Sequence, residues 1–97
     1  MKKLLLLLSV FIFVSCNKTP GVDFSWDPAT PKIGQTIIFN NNTSNAKSYN
    51  WDFGNGSTSK DKSPQQVYNV VGDYVITLTA YNGVKSMAKS ATITVVP

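Results

Sequence analysis

The chain has 97 residues, room for one domain. All nine of its cations are Lys and all five of its carboxylates are Asp, with no His, Arg or Glu and a single Cys. An internal disulfide, the common His-containing zinc sites and any Ser-His-Asp or Cys-His nucleophile are therefore excluded, so neither an enzyme nor a metal or other cofactor is expected.

The amino terminus reads as an address. Lys2 and Lys3 precede an eleven-residue run from Leu4 to Val14 that is apolar except for Ser9. A short positive patch followed by such a run has the shape of a secretory signal. It is too short for a transmembrane helix, which needs about 20 apolar residues. A buried strand or an anchor helix is the alternative, but neither needs the Lys pair in front.

Phe13-Val14-Ser15-Cys16 resembles the lipobox of bacterial lipoproteins, with Phe13 standing where that family usually has Leu. The resemblance implies a signal peptide over residues 1–15, cleavage before Cys16, and acylation of Cys16 by palmitate-type chains. The partner at that position would be the membrane of a bacterial cell envelope, with the outer membrane expected. Two or more acyl chains anchor a protein stably, whereas one holds only marginally. The alternative is an uncleaved Cys16 buried as a structural residue. Cleavage leaves 82 residues with seven Lys and five Asp. A net charge of +2 spread along the chain is no nucleic-acid footprint, so no nucleic-acid partner is expected. Cys16 to Gly21 reads as a tether, because Asn17-Lys18-Thr19-Pro20-Gly21 is polar and rich in breakers. Five residues span at most about 18 Å, which would keep the domain near the membrane surface.

From Val22 to Pro97 the pattern is strand-like. Val22, Phe24 and Trp26 alternate with polar residues until Pro28 and Pro31. Ile37 and Phe39, then Tyr49, Trp51 and Phe53, then Tyr74, Ile76, Leu78 and Ala80, and last Ala91, Ile93 and Val95 repeat that period of two. Gln65 to Tyr68 is a weaker strand candidate. Glycines at 34, 54, 56, 72 and 83 mark turns between these pieces. Short strands at about ten-residue spacing predict a sandwich of two sheets. Tyr81-Asn82-Gly83-Val84 predicts a two-residue hairpin, with Asn-Gly suited to a type I′ turn. Straight continuation from that turn puts Lys85 and Lys89 on the face of Ala91, Ile93 and Val95. A buried unpaired Lys is costly, so an irregularity such as a bulge is expected between Val84 and Ser90, turning at least Lys89 outward. Lys85 could instead reach water at the open end of the sandwich.

Tyr49-Asn50-Trp51-Asp52-Phe53-Gly54-Asn55-Gly56-Ser57 resembles the W-D-F-G-D-G signature of PKD domains. Upstream, Gly34-Gln35-Thr36-Ile37-Ile38-Phe39 is similar to that family's G-x-x-V-x-F strand. Downstream, Ser63-Pro64-Gln65-Gln66-Val67-Tyr68 is similar to its P-x-H-x-Y segment, and Gly72-Asp73-Tyr74-Val75-Ile76-Thr77-Leu78 to its G-x-Y-x-V-x-L strand. The resemblance implies an all-β, immunoglobulin-like sandwich of about seven strands over residues 22–97. Phe39, Trp51, Tyr74, Ile76 and Leu78 would build its core, with Trp51 central and Tyr74 at a tyrosine corner. Phe39 and Ile76 would stand where antibody domains carry their two Cys. Asn55 replaces the family's usual Asp, and Gln66 stands where His is common.

Three groups of residues are candidate sites. Asp52, Asn55 and Ser57 supply oxygens for a hard cation such as Ca²⁺, but one carboxylate and two neutral groups make a poor cage. Bonding of Asp52 and Asn55 to backbone N–H groups in the turn is the plainer expectation. Asp23 and Asp27 flank Trp26 as solvated edge charges. Trp26, Tyr68 and Tyr81 are candidate ligand contacts, able to stack on sugar rings or to anchor a protein partner; alternatively, Trp26 closes the end of the core and Tyr68 packs against Pro64. Asp52-Phe53-Gly54 coincides with a kinase motif, but no companion loop accompanies it. The expected function is a non-enzymatic, membrane-anchored envelope lipoprotein serving protein interaction or adhesion, with an envelope protein or glycan as partner. Carbohydrate binding through exposed aromatics is the alternative.

Overall fold

The computed structural model describes residues 18–97. The expected signal peptide and Cys16 lie outside the described residues. Seven strands follow in order: β1 (Phe24–Asp27), β2 (Thr36–Asn41), β3 (Ser48–Asp52), β4 (Thr58–Ser59), β5 (Gln65–Val67), β6 (Gly72–Asn82) and β7 (Lys85–Val95). They form two antiparallel sheets, β1-β2-β5 and β4-β3-β6-β7. Among the described residues there is no helix. The two-residue β4 is too short to show alternation in sequence; it exists because Ser59 and Thr58 pair with Trp51 and Asp52.

Each strand turns its apolar alternation inward because only the space between two facing sheets is dry. Ile37 and Phe39 of β2, Trp51 of β3, Ile76, Leu78 and Ala80 of β6, and Ile93 and Val95 of β7 are all buried. Phe24, Phe53 and Tyr68 complete the core, and Tyr74 packs against it half-buried. Trp51 is fully buried at the centre. Phe24 meets it edge-on at 5.2 Å, Phe39 lies at 5.3 Å, and Phe53 is parallel to it at 6.1 Å. Such offset and edge contacts are the arrangements that ring quadrupoles favour. The indole N–H donates to the Asp61 carbonyl at 2.9 Å, so the buried ring leaves no orphan donor.

The β6–β7 hairpin departs from the sequence expectation twice. Its closing pair is Asn82↔Lys85, which makes Gly83-Val84 the two-residue loop. Positive φ falls on Gly83 (φ 62) and not on Asn82, the pattern of a type II′ turn rather than I′. The reason is burial: Asn82 continues the inward series Leu78, Ala80, Asn82 and is itself buried. The second departure is that no bulge occurs. Pairing runs unbroken from Gly72↔Val95 to Asn82↔Lys85. Lys89 therefore keeps the facing of Ile93, opposite Leu78, but the sandwich is open at its level. Its side chain is 48% exposed and its ammonium lies 3.1 Å from Asp23 Oδ1. Lys85 is exposed at the hairpin end.

Candidate functional site

Of the three candidate aromatics, Tyr68 is not a surface contact. It is 2% exposed, its ring stands 4.2 Å from that of Tyr74, and its hydroxyl donates to the Phe53 carbonyl at 2.6 Å. Because β5 ends at Val67, the chain carries Tyr68 inward, where it pillars the β3–β4 turn. Burial, then the neighbouring Tyr74 and the Asp52 carboxylate, push the Tyr68 phenol well above its ordinary value, so it stays a neutral donor. Tyr74 donates to the Val70 carbonyl four residues back at 2.7 Å, the geometry of a tyrosine corner.

Trp26 is half-buried at the edge of the three-stranded sheet. Its indole N–H donates to the Ala29 carbonyl at 3.2 Å across the cis Asp27–Pro28 bond. One face packs towards Phe24 and Phe39, with ring centroids 6.1 and 6.5 Å away. Phe24, Ser25, Trp26 and Ala29 line a shallow depression of about 280 Å³. The ring is thus held on one side and available on the other. Tyr81 is exposed, on the outward face of β6 in the other sheet. The three aromatics do not share a face, so any aromatic platform consists of Trp26 or Tyr81 alone.

The β3–β4 turn is shaped by its own backbone. Gly54 N–H donates to Asp52 Oδ1 at 2.9 Å, and Ser57 N–H to Asn55 Oδ1 at 3.0 Å. Both side chains thereby act as turn formers, and no group of three metal-ligating side chains occurs among the described residues. Gly54 is fixed by two requirements. Its φ is +75°, and a Cβ there would lie 2.6 Å from the Val75 carbonyl oxygen. Asp23 and Asp27 are both exposed, as edge charges should be, and Asp23 also pairs with Lys89.

The amino-terminal segment holds what sequence patterning missed. Lys18 to Gly21 is docked on the sandwich rather than hanging from it. Asn82 Nδ2 donates to the Lys18 carbonyl at 2.8 Å, Pro20 is buried, and Gly21 and Ser44 exchange two backbone hydrogen bonds of 3.0 Å. Gly21 also lies too close to Ser44 for a side chain, since a Cβ would sit 2.7 Å from Ser44 Oγ. Composition reports that such a segment is polar and irregular; it carries no signal for contacts 23 and 64 residues away.

Two antiparallel sheets with a central Trp, a tyrosine corner and no internal disulfide define an immunoglobulin-like sandwich domain. The model of the PKD domain family matches residues 17–96, and the chain belongs to that family. The pre-pro-metalloprotease PrtV of Vibrio cholerae is 42% identical over 53 residues, which cover 50% of this chain and 6% of that protein. The crystal structure of the PKD1 domain from that metalloprotease superposes with a TM-score of 0.70 at 29% identity, covering 82% of this chain and 100% of that domain. A structure concerned with promiscuous carbohydrate-binding modules of the β-sandwich superfamily superposes with a TM-score of 0.77 at 26% identity, covering 82% of this chain and 35% of that one. The PKD domain is a non-catalytic module, and in the metalloprotease it is one small part of a larger chain.

Proposed function

We propose that this chain is a membrane-anchored lipoprotein of the bacterial envelope, expected in the outer membrane, whose PKD domain is a non-enzymatic interaction or adhesion module. The observation that carries this reading is a juxtaposition. Cys16 closes a lipobox-like sequence behind a Lys pair and an apolar run, and the PKD family match begins at the next residue. An acyl anchor on Cys16 would stand two residues before Lys18, the first residue held by the sandwich. The outward face of the three-stranded sheet supports a contact role, since Ile38 and Val67 are exposed there on adjacent strands, diagonal to each other across the Ile38↔Gln65 and Thr36↔Val67 pairs. Metabolic labelling with a fatty acid tests the anchor. Label is expected in the wild-type protein and absent from Cys16→Ser, and an unlabelled wild-type protein would refute it.

Carbohydrate binding is the second reading. It is favoured by the pinned indole of Trp26 above an open depression and by the likeness to a structure of carbohydrate-binding modules. A glycan array and pull-down on insoluble chitin and cellulose test it. Retention that is lost in Trp26→Ala supports it; no retention, or retention unchanged by that substitution, removes it.

A further inference from the structure

We propose that the end of the sandwich bearing the β6–β7 turn is a membrane-contact surface, seated on the anionic headgroups of the bilayer to which Cys16 is attached. The inference rests on the lipoprotein reading and specifies the orientation that the fold gives it.

The chain leaves the sandwich at this end. Asn82, the last residue of β6, holds the Lys18 carbonyl with its buried amide, and the Gly21–Ser44 bridge fixes the segment three residues later. Cys16 stands only two residues before Lys18. Two residues reach about 7 Å when fully extended. An acyl group on Cys16 therefore cannot lie far from this end of the domain. Of the expected six-residue tether, Lys18 to Gly21 belongs to the folded body, and Cys16 and Asn17 lie outside the described residues.

The same end has the chemistry of an interfacial surface. Val84, in the turn, is 91% exposed, and Met87 and Tyr81 beside it are 49% and 39% exposed. A single exposed Val is ordinary; its position beside Lys85, Lys47 and Lys18 is the point. Lys47 is brought here by its backbone N–H, which donates to the Tyr81 carbonyl at 2.8 Å. Asp23, just before β1, is already paired with Lys89, while Asp27 and Asp73 stand at the opposite ends of β1 and β6. Asp73 precedes Tyr81 by eight strand residues, about 27 Å. The end nearest Cys16 thus carries Lys18, Lys47 and Lys85 with an apolar tip, whereas at the far end Asp27 and Asp73 are accompanied by the single Lys32; Asp61 stands between Lys60 and Lys62 in the β4–β5 connection. Lysines attract anionic lipid within a Debye length of the surface, and Tyr and aliphatic tips settle at headgroup depth.

The test uses the full chain expressed in a bacterium, purified from membranes and reconstituted into phosphatidylcholine vesicles containing phosphatidylglycerol, with and without brominated acyl chains. Val84→Trp and Val71→Trp place probes at the two ends, both at exposed sites that leave the core intact. Quenching above that of the parent protein is expected to be several-fold greater at position 84 than at 71. The double substitution Lys47→Glu/Lys85→Glu is expected to reduce the signal at 84 several-fold in anionic vesicles. Equal quenching at both ends, or none at 84 beyond the parent, would overturn the proposal. Mass spectrometry of the same sample reports cleavage and acylation separately. If Cys16 carries no lipid, the lipoprotein reading fails by itself. Coupling a maleimide lipid to this sole thiol of the 16–97 chain, which holds every core residue, then supplies the tether, and the same quenching comparison decides the surface.

Discussion

Lys89 Nζ stands 3.1 Å from Asp23 Oδ1, an ion pair that joins the start of β1 to β7 across the open edge of the sandwich. It explains how a lysine remains on an inward-facing register position without a bulge. Its long aliphatic stem lets the ammonium reach a carboxylate and water from that position. Both side chains are about half exposed, so solvent screens their attraction. A double-mutant cycle with Asp23→Ala and Lys89→Met is expected to give a coupling of about 0.2–1 kcal/mol by urea denaturation. That coupling should shrink as salt rises. A coupling of several kcal/mol would mean that the pair is buried in solution.

Tyr68→Phe should destabilise the domain by about 1–3 kcal/mol, because the Phe53 carbonyl loses its buried donor. The same tyrosine predicts an alkaline sensitivity. Its phenol is raised in the folded state, chiefly by burial. Its contribution is therefore fully present below the unfolded-state value near 10 and is lost as pH rises through the folded-state value, because the unfolded chain releases the proton first. Stability should fall above about pH 10, and the fall should be shallower in Tyr68→Phe. Urea midpoints measured between neutral and alkaline pH decide this.

Gly54→Ala is expected to cost about 2–3 kcal/mol. An L-residue at φ +75° is strained, and the new methyl would press on the backbone of Val75, which cannot swing away as a side chain would. Gly56→Ala is the control. It has a positive φ of 90°, but a Cβ added there would meet nothing within 4 Å. Its loss should be the smaller of the two, as thermal unfolding can show.

Trp51→Ala should remove about 3–5 kcal/mol, a large share of the 5–15 kcal/mol typical of a domain. Phe24, Phe39 and Phe53 all lose a ring partner at once. The expected signature is an unfolded or loosened chain by near-ultraviolet circular dichroism. Trp26→Ala should cost less, since its ring is only half-buried.

Alternation in the sequence was sufficient for the two-layer architecture, because the period of two in Ile37 and Phe39, and again in Ile76, Leu78 and Ala80, can be buried only between facing sheets. The Trp51 signature located the centre of the core for the same reason: a large apolar ring flanked by polar neighbours has one dry side to go to. What the pattern left open depended on distant partners. A one-residue difference in the hairpin loop was decided by Asn82, which is turned inward to bind Lys18. The fate of Lys89 was decided by Asp23, 66 residues away in sequence. Tyr68 follows a strand too short to reveal its facing, and the Phe53 carbonyl draws it into the core. Local sequence fixes which side chains must leave water; which polar groups accompany them is set by hydrogen-bond partners that only the closed sandwich brings within reach.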